Sequence, residues 1–62
     1  MTGYRVYRLD ARNRILSRAD LVARNDEHAL QAARTILPAE PIEIWTGTRR
    51  VGSWTDGRAV TA

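Results

Sequence analysis

Two short segments of alternating apolar and polar residues precede a single helical stretch, and two more follow it. Residues 4–9 carry Tyr4, Val6, Tyr7 and Leu9 in a β-rich run, the period expected of a strand with one face on a core. Asp10-Ala11-Arg12-Asn13 then predicts a turn, because asparagine is one of the few non-glycine residues that tolerate a left-handed backbone. A type I turn closed by Asn13 makes a three-residue hairpin loop with a bulge. The implied register sets Leu9 opposite Ile15, Tyr7 opposite Ser17 and Val6 opposite Arg18. One face then shows Tyr7, Leu9, Ile15, Ala19 and Leu21, the better core face. The other shows Tyr4, Val6, Leu16 and Val22 interleaved with Arg8 and Arg18.

The helix is the clearest signal. Asn25 suits an N-cap, and Asp26 and Glu27 put negative charge in the first turn, where the helix dipole favours it. Ala29, Leu30, Ala33, Ile36 and Leu37 form an apolar stripe at helical spacing, with Glu27, His28, Gln31 and Arg34 outside it. Pro38 ends the helix, and Pro41 stiffens the entry to the next strand. Residues 41–45 and 49–55 then pair around Gly47-Thr48, a two-residue type II′ turn with glycine at its first central position. That register sets Ile44 opposite Val51, Ile42 opposite Ser53 and Trp45 opposite Arg50. Ile42, Ile44 and Val51 face the helix; Glu43, Trp45, Arg50 and Trp54 share the opposite face. Gly52 reads as a strand glycine that admits an indole from a neighbouring strand. Residues 56–62 show no periodicity and are expected to fray.

The expectation is an α+β, two-layer ββαββ domain over residues 1–55, a four-stranded, mainly antiparallel sheet with one helix packed on one face. The expected strand order is 2-1-4-3, with strands 1 and 4 parallel at the centre. A single helix covers only one face of such a sheet, so the other meets water or a partner. The residues assigned to that uncovered face, and hence the candidate binding surface, are Tyr4, Val6, Arg8, Leu16, Arg18, Trp45, Arg50 and Trp54.

Size sharpens this point. A 62-residue chain buries only about 60% of its unfolded surface. The sequence contains no cysteine, so neither a disulfide nor a Cys-based metal site can reinforce it. Oligomerisation is the remaining common way to enlarge the core. No apolar run resembles a signal segment or a membrane span; together with the missing cysteine this predicts a soluble, unprocessed, cytoplasmic protein with no membrane partner.

All ten basic residues are arginine, as a GC-rich genome would give. Their placement says more than their number. Arg5, Arg8, Arg12, Arg14, Arg18 and Arg24 against Asp10 and Asp20 make residues 1–24 carry +4. Arg34 against Asp26, Glu27, Glu40 and Glu43 makes residues 25–47 carry −3. Arg49, Arg50 and Arg58 against Asp56 leave residues 48–62 at +2. A basic sheet beside an acidic helix region attracts either phosphate or the acidic part of another copy.

The inventory for catalysis is thin. His28 is the only histidine and falls on the polar side of the first helical turn, where a solvated residue is the ordinary case. Ser17 and Ser53 have no base beside them, and no two carboxylates are placed to act as acid and base. Gly47 and Gly52 form no phosphate-cradling loop. An enzyme and a cofactor are therefore not expected.

Tyr-Arg-Val-Tyr-Arg-Leu-Asp at residues 4–10, Asn-Asp-Glu-His-Ala-Leu at 25–30, Glu-Ile-Trp-Thr-Gly at 43–47 and Arg-Arg-Val at 49–51 resemble a family of small uncharacterised alphaproteobacterial proteins. The resemblance runs to about Trp54 and implies the strand-strand-helix-strand-strand layout, with no activity attached to it. Many of those proteins have glycine where this chain has Asn13, which agrees with a left-handed turn there. The layout is also similar to a broader class of short domains that includes some antitoxin-like proteins. The expected function is a small non-enzymatic binding or adaptor module that self-associates, as a dimer in the first instance, through the uncovered face or an edge strand. A different protein partner is the next possibility, and a regulatory nucleic-acid-binding module using the basic aromatic face is the alternative.

Overall fold

The computed structural model describes residues 1–61. Its elements are β1 (Thr2–Leu9), β2 (Ile15–Ala23), α1 (Asp26–Ile36), β3 (Ile42–Thr46), β4 (Arg49–Thr55) and β5 (Arg58–Thr61). One five-stranded sheet has the order β2-β1-β3-β4-β5, with every neighbouring pair antiparallel. The α+β class and the single covering helix are as the sequence implies.

Two expectations are corrected. Within the 56–62 segment expected to fray, Arg58–Thr61 form β5, which pairs with β4 through a tight turn at Asp56-Gly57; residue 62 lies outside the described residues. Both residues there have positive φ, 53° and 73°, the requirement of a type I′ hairpin, for which Asp-Gly is a favoured sequence. The central pairing also differs: β1 lies beside β3, antiparallel, and not beside β4. The reason is that β4 has only two edges. Hairpin partner β3 takes one and β5 takes the other, leaving β1 the free edge of β3. Val6 then sits beside Ile44 and Arg8 beside Ile42.

The turns follow their local chemistry. Asn13 is left-handed at φ 61° and Gly47 at φ 59°. Asp10 organises the first turn: its Oδ1 accepts the amides of Arg12 and Arg14, each at 2.8 Å, and its Oδ2 accepts Arg14 Nε at 2.9 Å. These donors hold the Asp10 carboxyl below its ordinary pKa, the Arg14 amide contributing most. Asn25 caps α1 as expected, its Oδ1 accepting the His28 amide at 2.9 Å.

The core lies between α1 and the sheet. Ala29 and Ala33 are fully buried, and their small side chains let the helix approach closely. Val6, Ile42 and Ile44 are the largest fully buried side chains; Leu30 and Trp54 join them. The Trp54 indole donates to the Leu30 carbonyl at 2.7 Å, satisfying an otherwise stranded N–H. Ile36, placed in the apolar stripe by its spacing, is 45% exposed at the end of the helix, while Leu37 packs partly against the core.

Candidate binding surface

Two β-bulges decide which side chains reach the uncovered face. In the first hairpin, Leu9 faces Ile15 as expected, but Arg8 then faces Ser17, Tyr7 faces Arg18 and Val6 faces Ala19. Leu16 is the extra residue, and β2 is displaced by one position against β1 beyond it. A one-residue slip reverses which side chains share a face. In the second hairpin, Trp45 faces Arg50 as expected, yet Ile44 faces Gly52 and Ile42 faces Trp54. Val51 is the extra residue there.

The candidate set is consequently divided. Tyr4, Val6 and Trp54 lie in the core at 5%, 0% and 6% exposure, so their assignment to the open face is corrected. Arg8 belongs to the helix-side register, opposite Ser17 and Ile42. Leu16 is exposed at the first bulge. Arg18, Trp45 and Arg50 remain on the open face. Tyr7, assigned to the core from its alternation, joins them. Tyrosines at positions 4 and 7 fit either face, and only the bulge at Leu16 distinguishes them.

Two rows of side chains cross the open face. One runs Asp20, Arg5, Trp45, Arg50 across four strands, and the next runs Arg18, Tyr7, Glu43, Ser53, Val60 across all five. Trp45 and Tyr7 lie diagonally adjacent at the centre, both half-buried. Charges around them occur in opposite-sign contacts. Arg5 Nε lies 3.5 Å from Asp20 Oδ1. Glu43 joins two neighbours, accepting the Trp45 indole N–H at 3.1 Å and lying 3.7 Å from Arg50 Nη2. The face is indented by two shallow hollows that share Tyr7 and Trp45. The larger, about 520 Å³, continues to Gly3 and Val22; the smaller, about 330 Å³, reaches Leu9 and Ile15.

The polar clusters on the helix side have a structural role. Asp26 accepts the Tyr4 hydroxyl at 2.8 Å and a forked pair from Arg49 at 2.7 and 3.2 Å. This joins β1, β4 and the start of α1. The Arg49 hydrogen bond, then that of Tyr4, holds the Asp26 carboxyl below its ordinary pKa. Burial, followed by the Asp26 hydrogen bond, raises that of Tyr4. Farther along, the Arg34 guanidinium lies 4.5 Å over the Trp54 ring, and Glu40 accepts the Gly57 amide at 2.8 Å, holding the β4–β5 turn against the loop after α1. No buried side-chain polar atom among the described residues lacks a hydrogen-bond partner.

Among the described residues, no three His, Cys, Asp or Glu side chains are grouped to hold a metal ion, and no helix is long and apolar enough to cross a membrane. No known protein family, curated protein or solved structure matches the chain.

Proposed function

We propose that the protein is a non-enzymatic binding module that self-associates as a homodimer, through the uncovered sheet face or an edge strand beside it. The observation that carries the reading is the Tyr7–Trp45 pair at the middle of a face no helix covers, surrounded by arginine and carboxylate in contact. A surface that already contains both signs can meet a second copy of itself without accumulating like charge. Apolar residues beyond the aromatic pair support the same reading: Val22 and Ile15, each 61% exposed, line the two hollows that share Tyr7 and Trp45.

Sedimentation equilibrium over a concentration series, with acrylamide quenching of tryptophan, tests it. Trp54 is buried within the chain, so Trp45 reports on the open face. The expected result is a mass that rises towards the dimer in the micromolar range. A monomeric mass at high micromolar concentration, with unchanged quenching on dilution, overturns the reading.

A second reading is favoured by one observation: two aromatic rings lie together among Arg5, Arg18 and Arg50, an arrangement suited to stacking bases over a phosphate backbone. It predicts better binding of single strands than of duplex, lost on Trp45→Ala. Each phosphate contact removed would flatten the log-affinity against log-salt slope by about 0.7. The contacts of Arg5 with Asp20 and of Arg50 with Glu43 weigh against it, because phosphate would have to displace both carboxylates.

A further inference from the structure

The two edges of the sheet are β2 and β5, and they differ greatly. β5 is four residues long, whereas β2 is nine. The midpoint of β2, Ile15–Ala23, is Ala19. Among the described residues its outer edge has no strand partner, leaving a row of backbone donors and acceptors that is a ready template for another strand. The exposed side chains on this strand include Leu16 at 54% and Val22 at 61%, with an Asp20 side chain that is 72% exposed.

Resting on the self-association reading above, we infer that two copies pair antiparallel through β2, about a two-fold axis at Ala19, to form one continuous ten-stranded sheet. A two-fold perpendicular to the sheet keeps the open faces of both copies on one side, so residues that meet must share a face. That leaves few registers. Centring on Arg18 opposes Arg18 with itself, and centring on Asp20 opposes Asp20 with itself. Like charges directly opposite destabilise a strand pair. Centring on Ser17 or Leu21 shortens the overlap to five residues of the nine. Only the axis at Ala19 centres on the strand, bringing the bulge at Leu16 to the ends of the overlap, and sets Arg18 opposite Asp20 twice. The same register sets Ala19 against Ala19 at the middle and Ser17 opposite Leu21, and brings Leu16, at the bulge, towards Val22 at both ends. Charge and apolar complementarity thus select one register together. The occupant is a second copy because the pattern is complementary to its own reverse. The paired sheet brings the Tyr7–Trp45 surfaces of both copies onto one side.

Charge reversal tests this with the full chain, at low ionic strength where exposed pairs are least screened. Arg18→Asp creates two Asp–Asp contacts in the homodimer, and Asp20→Arg creates two Arg–Arg contacts. Each should weaken self-association roughly tenfold or more. An equimolar mixture of the two variants carries two Asp–Arg contacts and should recover wild-type dimerisation. Both positions are exposed, and circular dichroism confirms that each variant remains folded. Loss in both single variants with recovery in the mixture supports the register. A wild-type dimer indifferent to both reversals, or single variants that weaken without recovery on mixing, overturns pairing at Ala19 and leaves self-association standing. A wild-type monomer at high micromolar concentration overturns both readings.

Discussion

Gly52→Ala probes the one glycine at which an added Cβ would meet close neighbours. A Cβ built on Gly52 would lie 2.6 Å from the Val60 carbonyl oxygen and 3.4 Å from a Leu30 methyl. The methyl contact is acceptable, but the carbonyl belongs to the β5 backbone and cannot rotate away. Restoring ordinary contact requires β4 and β5 to separate by about 0.8 Å, the difference between those two distances. Overpacking of this kind costs about 1–3 kcal/mol, while alanine recovers about 0.5–1 kcal/mol of the entropy that glycine loses in a strand. The net cost is about 0.5–2 kcal/mol. A domain of 62 residues unfolds with an entropy near 130 cal/mol/K, so the melting temperature should fall by about 4–15 °C. Amide exchange supplies the location: all of β5 is exposed, so its amides should lose protection more than those of β1 or β3. A variant that melts at or above the wild-type temperature, with β5 exchange unchanged, would refute the close approach.

Asn25→Ala should cost about 0.5–2 kcal/mol through loss of the cap to His28, read as a lower urea midpoint with unchanged slope. Ala33→Glu should prevent folding, since that position is fully buried and an unpaired charge cannot be accommodated there; a wild-type melt would show that the helical face is misassigned. Trp54→Phe should cost about 1–2 kcal/mol, from the indole bond to Leu30 and a cation–π contact worth about 0.5 kcal/mol with half-exposed Arg34; a stability equal to wild type would remove the indole from the core. For pH, the Asp26 carboxyl is held below its ordinary pKa, so its contribution is present above the usual carboxylate range and is lost as pH falls through the folded-state value. Tyr4 is raised, so its contribution is present below the usual tyrosine range and is lost as pH climbs through the folded-state value. Asp26→Asn should flatten the acid limb of a denaturation profile, leaving the part due to Asp10; an unchanged limb would contradict the Arg49–Asp26–Tyr4 network.

Sequence patterns were sufficient for local structure and insufficient for register. Asn13, Gly47 and Asn25 announce their roles because a left-handed turn or a helix cap depends on the residue itself. The Ala29–Leu30–Ala33 stripe is legible for the same reason. Face assignment in β1 depends instead on where β2 bulges, and no residue type marks Leu16 as the extra one. Tyr4 and Tyr7 both tolerate burial beside a polar partner, so alternation alone favours neither. The β5 hairpin has a local signal, Asp56-Gly57 between Trp54-Thr55 and Val60-Thr61, but its strand is short and exposed and so carries no apolar alternation. Missing β5 also misplaces β1, since the order of the sheet depends on which edge of β4 is free.

The difference between the two edges also bears on what kind of assembly the chain can form. Pairing of β2 with β5 of the next copy would be head-to-tail and, where its rotation does not close a ring, would grow into a filament. Several features oppose it. β5 presents four residues where β2 presents nine, and a tight turn at Asp56-Gly57 limits its reach. Arg58 lies on β5 itself, the kind of edge charge that discourages further strands. Pairing β2 with β2 uses the long edge twice and leaves only the short edges exposed, so growth stops at two copies. If self-association occurs through this sheet, the strand lengths therefore favour a closed dimer, and Arg58→Val with Asp56→Asn should be the pair of substitutions that shifts it towards filaments, visible as turbidity or a rising sedimentation coefficient. A double variant that stays dimeric at high concentration would show that the short length of β5, and not its charge, is what ends the sheet.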